Sequence, residues 1–391
     1  MKAAVAAPGI APAPPQRYTT GNYIGLCLLV QFPDVPGSIT RDQVDQYCNK
    51  VGYNGFGNNG SVRDYFFNVS GSTLTYTNLV APYYITKYPR SYYTNETIPQ
   101  PTRAVELIKE ALEHLRASKF DFKDLTSDDQ DYVFAINVFY AGSRVNNWSK
   151  GLWPHSYHLD APYTLTFDKL AYDYQITDMT DQLSLGTFCH ENGHMICDFP
   201  DLYDYEYDSN GIGTFCLMCT GGSVDKKNPV HVNAYLKSAA GWAATSVALL
   251  PGQTVSLRAG HNDFAVHRKN MEEYFIIENR AQVGRDASLP DAGLAIWHVD
   301  ELGSNSNEQM SPSEHYECAL VQADGRNDLE KKANYGDQTD LFQAWENNRL
   351  SDSTHPNSKW WDGTRSELDI RDISAAGPTM TFSIGPTGSV A

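Results

Sequence analysis

The sequence predicts an α+β protein, with a flexible Pro-rich lead over residues 1–20, a mixed domain over 21–250 and a β-rich domain over 251–391. Three observations carry this expectation. At 391 residues the chain is long enough for two or three cores. Before residue 250, apolar runs of strand length alternate with patterns of helical spacing. After Pro251 the texture changes to short β-type runs separated by turn residues.

Taken in order, Tyr23 to Phe32 is a nearly continuous apolar run that fits a buried strand, ended by Pro33-Asp34. A Gly/Asn-rich loop covers 52–60. Ser61 to Phe67 predicts a short helix and Thr73 to Leu79 a strand. Arg103 to Ala117 places Val105, Ile108, Leu112 and Leu115 on one helical face. Tyr132 to Ala141 predicts a second buried strand, Leu183 to Cys197 a helix, and His231 to Ala244 a further helix. The C-terminal strands are expected at 254–257, 274–278, 294–299, 319–322 and 379–384.

The formal net charge of −17 disfavours nucleic acid and anionic membrane surfaces as partners. No apolar run approaches the roughly 18 residues of a membrane span. The start lacks the apolar core of a signal peptide, so any export signal would lie outside this sequence. Seven Cys are too few for a disulfide scaffold. Cys216 and Cys219 form a C-x-x-C with no matching partner pair, so local disulfides, such as Cys197 with Cys216 or Cys219, are favoured over a second zinc site. Cys189 and Cys197 would lie about 12 Å apart on one helix, too far to pair. Sequons at Asn59, Asn68, Asn95 and Asn147 permit N-glycosylation.

The chemistry concentrates at His190-Glu191-Asn192-Gly193-His194, which spells H-E-x-x-H. On a helix, residues four apart share a face, so both imidazoles can reach one metal. Neutral imidazole binds Zn²⁺ well, and zinc lowers the pKa of a bound water towards neutrality. Glu191, one residue past His190, stands beside the metal rather than on it. There it can take a proton from that water and deliver it to a leaving amine. A third protein ligand is required. Asp198, Asp201 and Asp204 follow, and Pro200 would turn the chain so that Asp201 swings back.

The run His-Glu-Asn-Gly-His-Met with Pro200-Asp201-Leu202-Tyr203-Asp204 resembles the catalytic motif of the immune inhibitor A family of secreted zinc metallopeptidases. Further similar runs span nearly the whole chain. They include 29–34 (LVQFPD), 61–66 (SVRDYF), 70–74 (SGSTL), Leu152-Trp153-Pro154-His155-Ser156, Gly211-Ile212-Gly213 with Leu217-Met218, and Lys237 with Gly241-Trp242. In the C-terminal part they include 273–280 (EYFIIENR), 293–301 (GLAIWHVDE) and Gln322-Ala323-Asp324-Gly325. The resemblance implies a metzincin-like catalytic domain with a mixed sheet, a backing helix and an active-site helix. It implies a secreted, extracellular endopeptidase acting on protein or peptide substrates; with the charge and hydropathy above, no nucleic-acid or membrane partner is expected, and the protein is expected to be a monomer. His190 and His194 would be zinc ligands, Glu191 the catalytic base and acid, and Met218 an apolar floor below the metal.

The sequence departs from the family pattern at Cys197, where Gly is common, and its linker to Pro-Asp is one residue longer. Alignment on Pro-Asp-Leu-Tyr-Asp selects Asp201 as third ligand, ahead of Asp204 and Asp198. Two oxygen-rich clusters, Asp204/Asp208/Asn210 and Asp324/Asp328 with Asp337/Asp340, fit either structural calcium, which the resemblance allows, or plain acidic turns. His155 and His298 are expected to be structural rather than cleft residues, and Tyr203, Tyr205 and Tyr207 either oxyanion donors or a loop edge. The alternative to a peptidase is a catalytically inactive, peptidase-like binding or adhesion module. An exopeptidase would need a chain-end-binding charge that the sequence does not reveal.

Overall fold

The computed structural model describes residues 18–306 and 310–386. The Pro-rich lead, apart from 18–20, lies outside the described residues. The chain is of mixed α+β type. It divides into two compact units, Thr19–Asn68 with Ser72–Phe199, and Val69–Gly71 with Pro200 onward. The change of texture near 250 falls within the second unit.

The first unit is built on a five-stranded sheet in the order β2-β1-β3-β5-β4. Its strands are β1 (Gly21–Gln31), β2 (Leu74–Ile85), β3 (Ile136–Ala141), β4 (His155–Thr166) and β5 (Lys169–Met179). β1 runs parallel to β2 and β3, and β3 parallel to β5; only β4 is antiparallel to its neighbour. β1 and β3 have strands on both sides, which is why they read as continuous apolar runs. Four helices accompany the sheet: α1 (Arg41–Asn49), α2 (Val62–Val69), α3 (Arg90–Tyr93) and α4 (Thr102–Ala117). α4 buries Leu107, Ile108, Ala111 and Leu112 in one core with Leu26, Leu28, Val30, Ile136, Val138 and Tyr140. Alternation sends Phe139 the other way, where its ring stacks on Phe188 of helix α5 (Leu185–Cys197) at 4.7 Å. The sheet is thus covered on both faces, with α5 on the face opposite α4. Gly25 lies where β1 crowds its neighbours: a Cβ there would stand 2.7 Å from the Ala135 Cβ and 2.8 Å from the Asn78 Oδ1.

The second unit begins with the short helices α6 (Gly222–Val224) and α7 (Ala234–Ala239), and α7 is shorter than the sequence pattern suggests. Two sheets follow. One has the order β11-β10-β9-β8-β6, from β6 (Thr245–Ala248), β8 (Asp263–Arg268), β9 (Glu273–Arg280), β10 (Gly293–Asp300) and β11 (Cys318–Leu320). The other has the order β12-β13-β14-β7, from β7 (Thr254–Arg258), β12 (Leu350–Ser351), β13 (Asp369–Arg371) and β14 (Thr379–Ile384). Phe275, Ile277, Leu294 and Ile296 share a core with Leu257, Met380 and Phe382.

Buried polar anchors explain why residues 200–244 belong with these sheets. The Arg280 guanidinium is 2% exposed. It makes a two-point contact with Asp286 at 2.7 and 2.8 Å and donates to the Phe215 carbonyl at 2.8 Å. Glu278 accepts from the Ala234 amide at the start of α7 and from the Trp297 indole, both at 3.0 Å. Asp286 also accepts from the His231 amide at 3.0 Å. A bidentate Arg–carboxylate pair, once buried, is costly to break, so these bonds fix the loop onto β9.

A candidate metal centre at the end of helix α5

Helix α5 carries His190 and His194 four residues apart, and the structure turns both rings to a common point. Their Nε2 atoms lie 3.2 Å from each other, with the rings nearly perpendicular at 86°. The Nδ1–H of His194 donates to the Phe199 carbonyl at 2.6 Å. That bond leaves Nε2 as the nitrogen with the lone pair, the arrangement metal-bound histidines use. Tetrahedral zinc at about 2.0–2.1 Å from each nitrogen requires an N···N separation of about 3.3 Å. The spacing and chemistry of the donors therefore fit such an ion. Glu191 is 7% and His194 6% exposed.

α5 continues through Cys197, and Asp198 adopts the left-handed conformation at φ 54°. The Asp198 amide donates to the His194 carbonyl at 3.1 Å, and the Phe199 amide to the Gly193 carbonyl at 3.2 Å. The turn that ends the helix is made by Asp, a residue that tolerates this conformation better than most. Pro200 follows and Asp201 comes next. His190, His194 and Asp201 each offer one ligand atom, and these atoms lie within 4.8 Å of one another. Asp201 is 1% exposed.

Of the two rivals, the Asp204 carboxylate is engaged elsewhere. Asp204 accepts from the amides of Glu206, Asp208 and Ser209 at 2.8, 3.0 and 2.6 Å. It thus organises its own turn. Asp198 forms the helix cap. Met218 is fully buried, and its carbonyl accepts from the Leu202 amide at 2.8 Å, tying down the segment after Asp201.

Other sequence candidates fall outside the site. His155 is buried, its Nδ1 2.6 Å from the Trp153 carbonyl and its Nε2 3.0 Å from the Tyr174 hydroxyl. Burial drives its pKa down from 6.5 to about 4. His298 bonds Glu273 at 3.1 Å and stacks on Trp361 at 4.7 Å. Asp324, Asp328 and Asp337 gather oxygens within 4.8 Å, but the Arg326 guanidinium reaches all three, at 2.5, 3.8 and 3.5 Å. The half-buried carboxylates share an ion-pair network with the exposed Arg326. Cys216 and Cys219 are buried free thiols, pushed up to about 12 by desolvation. The expected bridge from Cys197 to either of them is not formed, and among the described residues no metal-ligand group assembles around them.

Sequence reasoning missed a buried polar cluster that fixes the helix. Asn192, the first x of H-E-x-x-H, accepts from the Tyr76 hydroxyl at 2.7 Å and donates to Asn137 Oδ1 at 2.9 Å. Asn137 donates in turn to Tyr76 and to Asn78 Oδ1 at 2.6 and 2.7 Å and accepts from Gln175 at 2.8 Å. β2, β3 and β5 thus all hold the face of α5 turned away from the histidines. The available signal was Asn137 itself, a polar residue inside an otherwise apolar strand, which demands partners.

No protein-family model matches this sequence, and no curated protein matches it at a significant level.

Proposed function

We propose that the chain is a zinc-dependent endopeptidase of metzincin-like, immune inhibitor A type, acting outside the cell on protein or peptide substrates. The observation that carries the reading is the His190–His194 nitrogen pair at 3.2 Å, with Asp201 in reach and Glu191 adjoining. His190, His194 and Asp201 would hold the metal. Bound zinc would polarise a scissile carbonyl and lower the pKa of a water towards neutrality. Glu191 takes the proton of the attacking water and returns it to the departing nitrogen. The Phe199 carbonyl keeps His194 in the tautomer that presents Nε2. A mixed sheet, a backing helix α4 and a helix α5 that carries the histidines suit the metzincin-like domain that the resemblance implies. The asparagines of all four sequons are exposed, which suits an exported chain. No helix among the described residues is long and apolar enough to cross a membrane.

Metal analysis combined with casein digestion tests the reading. The wild type should carry about one zinc and cleave. Glu191→Gln should keep the zinc and lose activity by several orders of magnitude. Casein cleavage by Glu191→Gln at the wild-type rate would sink the mechanism, and zinc without cleavage in the wild type would favour a binding module.

A further inference from the structure

We propose that Asn305 is a positioning residue for the third metal ligand, gripping the Asp201 segment from a buried Glu317–Tyr235 base. The proposal rests on the zinc reading above. Asp201 sits on a loop with no helix or strand of its own, so its place is set by the bonds its backbone makes. The Asn305 amide Nδ2 donates to the Asp201 carbonyl at 2.8 Å. The Asn305 backbone carbonyl accepts from the Tyr205 amide at 2.9 Å. One residue therefore holds the loop at two points, one before and one just after Asp204.

Asn305 is itself fixed. It is 6% exposed, and its Nδ2 also reaches Glu317 Oε2 at 3.3 Å while its Oδ1 accepts from the Glu317 amide at 3.3 Å. Glu317 is fully buried, bonds the Tyr235 hydroxyl of α7, and immediately precedes β11. The clamp is thereby anchored in a sheet and a helix rather than in another loop. Ligand atoms must sit within about 0.2 Å of their ideal distance, and groups that orient ligands are typically worth 10–100-fold in metal affinity. A carboxylate carried by an otherwise irregular loop depends on such a clamp.

The full-length chain decides the matter. Asn305→Leu, close in shape but unable to donate, is compared with wild type and Asp201→Asn. The measurements are chelator-competition zinc affinity, the visible spectrum of the Co²⁺-substituted protein, and thermal melting. Asn305→Leu should bind zinc 10–100-fold more weakly and change the Co²⁺ bands, which report ligand geometry, while remaining folded. Zinc affinity within threefold of wild type and unchanged Co²⁺ bands in Asn305→Leu, alongside zinc loss in Asp201→Asn, would overturn this proposal alone. Absence of zinc from the wild type would instead overturn the functional reading, and the clamp with it. Should Asn305→Leu fail to fold, Asn305→Ser, smaller and tolerant of a bridging water, is judged by the same two outcomes.

Discussion

Asp201 and Asp204 are three positions apart, yet their carboxylates face different work. Asp201 shares a point with two imidazoles, whereas Asp204 accepts three backbone amides. Asp201→Asn should weaken zinc binding by at least tenfold with little change in the melting of the metal-free protein. Asp204→Asn should instead cost about 2 kcal/mol of stability, because an ionised acceptor of several amides is lost. Chelator titration and urea unfolding of both variants separate the two roles; equal zinc affinities would remove Asp201 from the site. His155 makes a second residue-level prediction. Its folded pKa of about 4 lies below its ordinary 6.5, so the folded state favours the neutral ring. This contribution is complete above pH 6.5 and disappears as pH falls from 6.5 to 4, worth up to about 3 kcal/mol. His155→Gln should flatten the urea midpoint across that window, and an unchanged slope would assign the pH dependence elsewhere. At this scale the histidines and Glu191 were legible from spacing alone. The Asp198 turn was not, because a left-handed cap on a non-glycine residue leaves no sequence mark.

At the scale of elements, legibility followed burial. β1, β3, β9 and β10, flanked on both sides by strands, announce themselves as apolar runs close to their true bounds. β4 passed unnoticed because edge position and partial exposure leave it polar, β5 because its first half is only partly buried although strands flank it on both sides, and α1 because only Val44, Tyr47 and Cys48 are buried on it. Helix α5 owes its placement to Asn192 and the Asn137 network as much as to its apolar face. Asn192→Leu strands the Tyr76 hydroxyl and Asn137 in a dry environment, which should cost about 2–4 kcal/mol. Urea unfolding measures that loss. A variant as stable as wild type would mean that the network is dispensable, and the position of α5 would then rest on Phe188 and its neighbours.

For the whole molecule, the sequence predicted two folded regions but placed their division by texture, near 250. That residues 200–244 group with the second unit follows hydrogen bonds that composition does not display: Arg280 to Phe215, Glu278 to Ala234, Asp286 to His231. Loop residues take the allegiance of the sheet that satisfies their backbone, and a loop's composition does not say which sheet that is.

The buried thiols carry a consequence of a different kind. Cys27 and Cys48 lie in the first unit and Cys216, Cys219 and Cys318 in the second, all buried. A thiol reagent can reach them only when the surrounding structure opens, so alkylation rates become a clock for opening, read separately in each unit by peptide mapping. In the folded protein these five sites should label orders of magnitude more slowly than in urea. If the units open independently, the two sets should label at two distinct rates, and a single shared rate would show that they open together.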